Sequence, residues 1–262
     1  MSEMSQVKFI EVRGRSIAYR EMGNASGSTL VFVHAFASNS TTWIPTATHL
    51  AKAGFRIIAF DLPGHGRSDW LGSYSLASME EALASAVDQL GLRRFDLIGH
   101  SLGGHLALRL GARFPDRVSR VVVEASPVPP KDESDAEAMM RTGTKPSLWR
   151  SIKLLGFGRL IRIALLRQFD FKASKPVLGE LRKPMPDWWL GLKKIRSQCL
   201  VLTSKNDGMV TSRADLLVAV LRYANSQIIG EGHHLHTRHR VAFLNAVMPF
   251  LLAPDGDRFS TP

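Results

Sequence analysis

Ser101 stands between Gly99 and Gly103, with Gly104 next in line. The element falls where an apolar run, Phe95 to Ile98, gives way to a stretch with Leu106, Leu110 and Phe114 at helical spacing. A serine hydroxyl is a poor nucleophile until a base takes its proton in the transition state. A tight strand-to-helix turn lifts its Oγ above the sheet, and flanking glycines leave room for the helix to approach the strand. The first amides of that helix lack intrahelical acceptors, so the Leu102 N–H is a candidate oxyanion donor. The five-residue spacing alone is weak; between a strand and a helix it is specific.

Nucleophilic serine chemistry needs an imidazole and a carboxylate, and in this geometry acid and then base follow the serine. Asp207 comes after the apolar run Cys199 to Thr203, within Ser204–Lys205–Asn206–Asp207–Gly208. His233 comes after Gln227 to Ile229, within Gly230–Glu231–Gly232–His233–His234. Asp207 would fix the tautomer of the ring and stabilise its cation. His234 competes with His233 as base. Glu124, ending the strand Val118 to Val123, competes as acid, and Asp215 is placed less well inside a helical stretch. His233, His234, His236 and His239 also invite a metal reading, but their spacing is not that of a helical zinc motif and no metal is expected. His34–Ala35–Phe36 closes the apolar run Leu30 to Val33. A second oxyanion amide is expected from Phe36, with His34 as a structural hydrogen-bonding residue at the pocket and His100 beside the serine.

These groups need a scaffold that brings loop ends together. Val7 to Val12, the Arg13–Gly14 turn and Ser16 to Tyr19 predict a β-hairpin. Apolar strands then alternate with helices: Leu30 to Val33, helix 42–52, Arg56 to Phe60, a helix from Ser75 to Leu90, Phe95 to Ile98, the helix after Ser101, and Val118 to Val123. Strands apolar throughout predict a mostly parallel sheet covered on both faces. From Pro127 to Asp187 the rhythm stops; proline clusters bracket helical segments with no strand signal. It resumes with Cys199 to Thr203, helix 212–223, Gln227 to Ile229 and helix 238–252. The predicted organisation is a core of residues 1–126 and 188–262 with an inserted segment, 127–187.

Composition narrows the class. The chain has 262 residues, 45% of them hydrophobic, which is enough for a sizeable core. One cysteine, Cys199, excludes an intrachain disulfide, and a reducing, cytoplasmic setting is expected. The first residues lack a signal-peptide core and no run approaches the length of a membrane span. The net charge of +11 is concentrated between Ala138 and Lys183, where many bases face only Asp170 and Glu180. No nucleic-acid-binding motif accompanies them, so they read as a solvated basic face that can favour anionic substrates.

Taken together, His34–Ala35–Phe36 with Trp43, Asp61–Leu62–Pro63–Gly64–His65–Gly66–Arg67–Ser68, Gly99 to Gly104, Asp207 and Gly232–His233 resemble the α/β-hydrolase fold superfamily over nearly the whole chain. The branch resembled is that of serine esterases, lipases and C–C hydrolases. The resemblance implies a central sheet of about eight strands and a helical cap formed by 127–187. It also makes Asp61 to Ser68 a scaffold loop. Ser at 101 sets the chain apart from the dehalogenase and epoxide hydrolase branches, which attack through a carboxylate. One departure is Ala35, where the family usually has glycine; a residue forced to positive φ there would reshape the loop. The expectation is a cofactor-free hydrolase of a small to medium hydrophobic ester, its pocket lined by Trp149, Ile152 and Phe157, with Leu148, Trp188 or Trp189 beside them. Thioesterase, C–C bond hydrolase, perhydrolase and, in another class, a non-catalytic ligand receptor are the alternatives.

Overall fold

The computed structural model describes residues 6–141 and 168–254. β1 (Lys8–Val12) and β2 (Arg15–Gly23) form the expected hairpin. Both turn residues, Arg13 at φ 50° and Gly14 at φ 71°, are left-handed, as the right-handed strand twist demands of a two-residue turn. Then come β3 (Thr29–Val33), a short 3₁₀ turn (Ser40–Trp43), α1 (Ile44–Lys52) and β4 (Arg56–Phe60). α2 (Leu76–Gln89) starts at Ser75, whose hydroxyl accepts the Ser78 amide while Ser78 Oγ accepts the Ser75 amide, a reciprocal cap. β5 (Phe95–His100), α3 (Leu102–Arg113) and β6 (Val118–Glu124) complete the first half.

The second half carries α4 (Glu133–Arg141), α5 (Ser174–Glu180), α6 (Pro186–Leu192), β7 (Gln198–Thr203), α7 (Gly208–Val220), β8 (Ala224–Ile228), a one-turn α8 (Leu235–Arg238) and α9 (Arg240–Leu252). The eight strands lie in one sheet in the order β1-β2-β4-β3-β5-β6-β7-β8, antiparallel only at β1–β2 and β2–β4. No helix among the described residues is long and apolar enough to cross a membrane.

Alternation along each central strand divides the core. Val31, Val33, Leu97, Val121, Val123 and Val201 face α2, α3 and α6 on one side. Leu30, Phe32, Ile98, Val122, Leu200 and Leu202 face α1 and α9 on the other. Both faces being covered is what makes the strands apolar throughout. It also leaves the strand ends as the place where polar side chains can gather.

Two boundaries differ from expectation. α7 begins at Gly208, directly after Asp207, and the last helix divides into α8 and α9 around His239. α6, whose first residues were assigned to the inserted segment, packs against the core helix α3: Trp188 stacks on His105 with ring centres 4.9 Å apart, and Trp189 donates to the Pro129 carbonyl. Both tryptophans are buried by this packing, and Trp188 also lines a cavity with Glu80, Leu108, Arg109 and Asp187. Trp149, Ile152 and Phe157, with Leu148, lie outside the described residues.

Candidate active site

Ser101 is the residue between β5 and α3, with φ 51° and ψ −118°, a conformation costly for any residue with a Cβ. The surrounding bonds hold it there. Its amide donates to the Glu124 carbonyl at 2.8 Å, extending the β5–β6 ladder by one rung, and its carbonyl accepts Gly104 N–H at 2.8 Å. The glycines answer a steric demand. A Cβ at Gly99 would lie 2.2 Å from the Gly103 carbonyl oxygen, and one at Gly103 would lie 2.1 Å from that of Val33. So the helix can start this close to the strands only without side chains at those points.

No side chain caps the N-terminus of α3, so the Leu102 amide has no capping acceptor at the start of the helix. Opposite, Phe36 follows β3 in a turn closed by Ser38 N–H on the Ala35 carbonyl. The positive φ in this loop belongs to Ala37, at 53°, and not to Ala35. The strain anticipated at the alanine in the glycine's usual place is therefore displaced by two residues. The Phe36 ring is held edge-on by His65 and Phe169, 5.8 and 4.8 Å away.

Asp207 and His233 arrive from the ends of β7 and β8. His233 Nδ1 lies 2.8 Å from Asp207 Oδ2. Gly230 and Gly232 flank the loop at positive φ, and a Cβ at Gly230 would strike the His239 ring. Burial pulls the His233 pKa down, but the hydrogen bond and charge of Asp207, with the charge of Glu124, outweigh it and raise the value. With Nδ1 engaged, Nε2 is the nitrogen left to act as base. Ser101 Oγ and the His233 ring are not hydrogen-bonded to each other.

The competing residues sort by geometry. His234 lies with its ring 4.9 Å from that of His100, and Asp207 takes His233 instead. Glu124 pairs with His236, not with His233. Asp215 lies within α7, exposed.

His34 and His100, expected at the pocket, are both buried. His34 Nδ1 donates to the Ala35 carbonyl at 2.7 Å and Nε2 accepts Leu62 N–H at 2.9 Å, so it has no nitrogen for a ligand. Burial lowers its pKa to about 4, against the Ala35 bond. His100 turns Nε2 to the His233 carbonyl at 2.7 Å. Burial and the three neighbouring histidines 236, 233 and 234 push its pKa well down. Both imidazoles are engaged by the backbone of the loops around the site.

Asp61 organises the loop that follows β4. Its carboxylate accepts Ser40 N–H at 2.6 Å and Arg67 N–H at 2.9 Å, and its carbonyl accepts Ser68 Oγ–H at 2.6 Å. Gly66, at φ 56°, is where a Cβ would collide with that carboxylate.

The alpha/beta hydrolase fold family matches residues 28–161, just over half of the chain. The chain belongs to that family. A 2-hydroxy-6-oxononadienedioate/2-hydroxy-6-oxononatrienedioate hydrolase of Escherichia coli strain K12 is 26% identical, over 97% of this chain and 98% of its own length. Among solved structures, a hydrolase from Pseudomonas aeruginosa superposes with a TM-score of 0.76 at 24% identity, covering 95% of this chain and 99% of its own. The enol-lactonase from Burkholderia xenovorans LB400 gives 0.74 at 19% identity, covering 94% and 100%. These two likenesses establish the fold; the chemistry has to come from the site.

Proposed function

We propose that this protein is a serine hydrolase that cleaves a small to medium hydrophobic carboxylic ester through an acyl-enzyme. The observation that carries the reading is the 2.8 Å contact of Asp207 with His233, above the same end of the sheet as the strained Ser101. The mechanism requires Ser101 Oγ to come within hydrogen-bonding reach of His233 Nε2. Attack on the carbonyl then forms the Oγ–C bond as the ring takes the hydroxyl proton. The Leu102 and Phe36 amides receive the oxyanion, each worth roughly 10²–10³ in rate. The His233 cation returns its proton to the leaving oxygen as the C–O bond breaks. A water, deprotonated by the same ring, releases the acid. No step calls for a cofactor or metal.

Residues 127–187 are taken as a cap over this end of the sheet. The lone, buried Cys199 fits a protein of the reducing cytoplasm.

A second reading, C–C bond hydrolysis by the same residues, is favoured by the full-length similarity to the Escherichia coli enzyme, whose named substrate is a dianion. The excess of bases between Ala138 and Lys183 suits an anionic substrate. The two readings separate on one panel: p-nitrophenyl esters of graded chain length, an acyl thioester and a 2-hydroxy-6-oxo-dienoate. Highest kcat/KM on a short or medium ester supports the first reading, and on the dienoate the second. In either case Ser101→Ala is expected to lower kcat about 10⁵–10⁶-fold. Retention of most activity by that variant overturns both.

A further inference from the structure

We propose that Glu124 and His236 are positioning residues, a buried acid–imidazole pair that joins with His100 to hold the His233 loop against the Ser101 turn. The proposal rests on the reading of His233 as the base.

Glu124 ends β6 directly beside His100 in the parallel register. Its carboxylate takes three N–H groups from the chain just after His233: Leu235 N at 2.5 Å, His236 N at 3.2 Å and His236 Nδ1 at 2.7 Å. Three donors on one fully buried carboxylate fix both the path of the loop and the orientation of the His236 ring. His236 is then held on its remaining sides. Its Nε2 lies 2.9 Å from Thr42 Oγ1, its carbonyl accepts Thr46 Oγ1–H at 3.0 Å, and the Trp43 ring covers it at 4.1 Å.

Thr42 and Trp43 belong to the 3₁₀ turn that follows the Phe36 loop. From the other direction His100, the neighbour of Ser101 in sequence, donates to the carbonyl of His233 itself. The serine turn, the oxyanion loop and the imidazole loop therefore meet at one buried cluster, while Asp207 holds only the far side of the ring. The Glu124 carbonyl accepts the Ser101 amide, but the carboxylate and the imidazole are fully buried and bonded to each other, so the pair has no proton to trade with substrate. Holding three loops in register is work it can do.

The same side chains bring possible metal-ligand atoms of His100, Glu124 and His236 within 4.8 Å of one another. A cation there would have to displace the His236 bond to Glu124 and the His100 bond to the His233 carbonyl, and it would face two amides aimed at the same carboxylate oxygen. Hydrogen bonding, not coordination, accounts for the geometry.

The test uses Glu124→Gln, His236→Gln and Thr42→Val, each made in the otherwise unchanged protein and again with His233→Ala, on a p-nitrophenyl ester. In the first background kcat is expected to fall about 10–100-fold, as for a misplacement of catalytic groups by about an ångström, with KM nearly unchanged. Asp207, Glu124, His100 and His234 surround His233, and only the two carboxylates raise its pKa. The acid limb of the Glu124→Gln profile should accordingly move to lower pH. In the His233→Ala background the same changes should leave the residual rate nearly unaltered, because the group they position is gone.

Equal losses in both backgrounds would mean general damage and overturn the proposal. So would an unaltered kcat in all three single variants, or a loss reproduced in the unsubstituted protein by a chelator and reversed by Zn²⁺. Thr42→Val removes one peripheral hydrogen bond, so it reports on the cluster even where a buried variant fails to fold. Full activity in His233→Ala alone would instead remove the base assignment, and it is recognised without any second substitution.

Discussion

His233 and Asp207 meet at 2.8 Å, Nδ1 to Oδ2, although they stand 26 positions apart in the chain, with α7 and β8 between them. The contact fixes which ring nitrogen carries the proton and leaves Nε2 as the basic one. Several consequences are open to measurement.

Asp207→Asn should lower kcat by about 10⁴-fold, the scale seen when the orienting carboxylate of a triad is replaced. The base must be neutral to work, so activity falls on the acid side as His233 takes up a proton. Asp207 raises the His233 pKa, and its removal should shift that limb to lower pH. Linkage gives the stability sign. A histidine whose folded pKa is raised adds stability that is complete below its unfolded value, near 6.5, and is lost as pH rises through the folded value. Melting temperatures followed across that window should show this slope in the parent and lose it in the variant. An unmoved acid limb would place the titrating base elsewhere.

Ser101 is strained by its backbone, not its side chain, with φ at 51°. Replacement by glycine should relieve strain that alanine keeps. Ser101→Gly is expected to be more stable than Ser101→Ala by about 1 kcal/mol, the relief being partly offset by the greater freedom of glycine in the unfolded chain. Paired denaturation curves measure this, with both variants inactive. Equal stability would mean that the turn relaxes in solution.

How much was legible in advance follows from what sets each feature. The strand and helix order was readable because both sheet faces are covered and the strands are apolar throughout. The meeting of Asp207 with His233 was readable because each follows a strand in the order that the serine geometry demands. The pairing of Glu124 with His236 was not. It depends on the register that sets His100 beside Glu124 and on a one-turn helix after His233, and neither leaves a local pattern. The packing of the α6 tryptophans was not legible for a related reason: an apolar aromatic residue reads the same whether it packs on α3 or faces a ligand. Ala35 raised the right question at the wrong residue, since the left-handed position falls at Ala37.

Arg213 ties α7 to the chain that leads into α4. From α7 it reaches Asp135 of α4 through two nitrogens, at 2.9 and 2.7 Å, and donates to the carbonyls of Val128 and Pro129. Arg213→Met should cost about 2–4 kcal/mol, somewhat below the loss for a fully buried pair because Asp135 is partly exposed. The Arg213 hydrogen bond lowers the Asp135 pKa against the effect of burial. Its contribution is therefore present above the unfolded value of about 3.8 and lost as pH falls through the folded one. Chemical denaturation at pH 7 and below pH 4 should show the difference between parent and variant shrinking with acid. A constant difference would assign the loss to packing alone.

Ser101 is the nucleophile on which the proposed chemistry turns. Labelling with a fluorophosphonate probe followed by peptide mapping puts the question to that one atom. The expected result is a single adduct on Ser101 Oγ, absent in Ser101→Ala and formed far more slowly in His233→Ala. An adduct on another residue, or ester turnover that persists while Ser101 stays unlabelled, would contradict it.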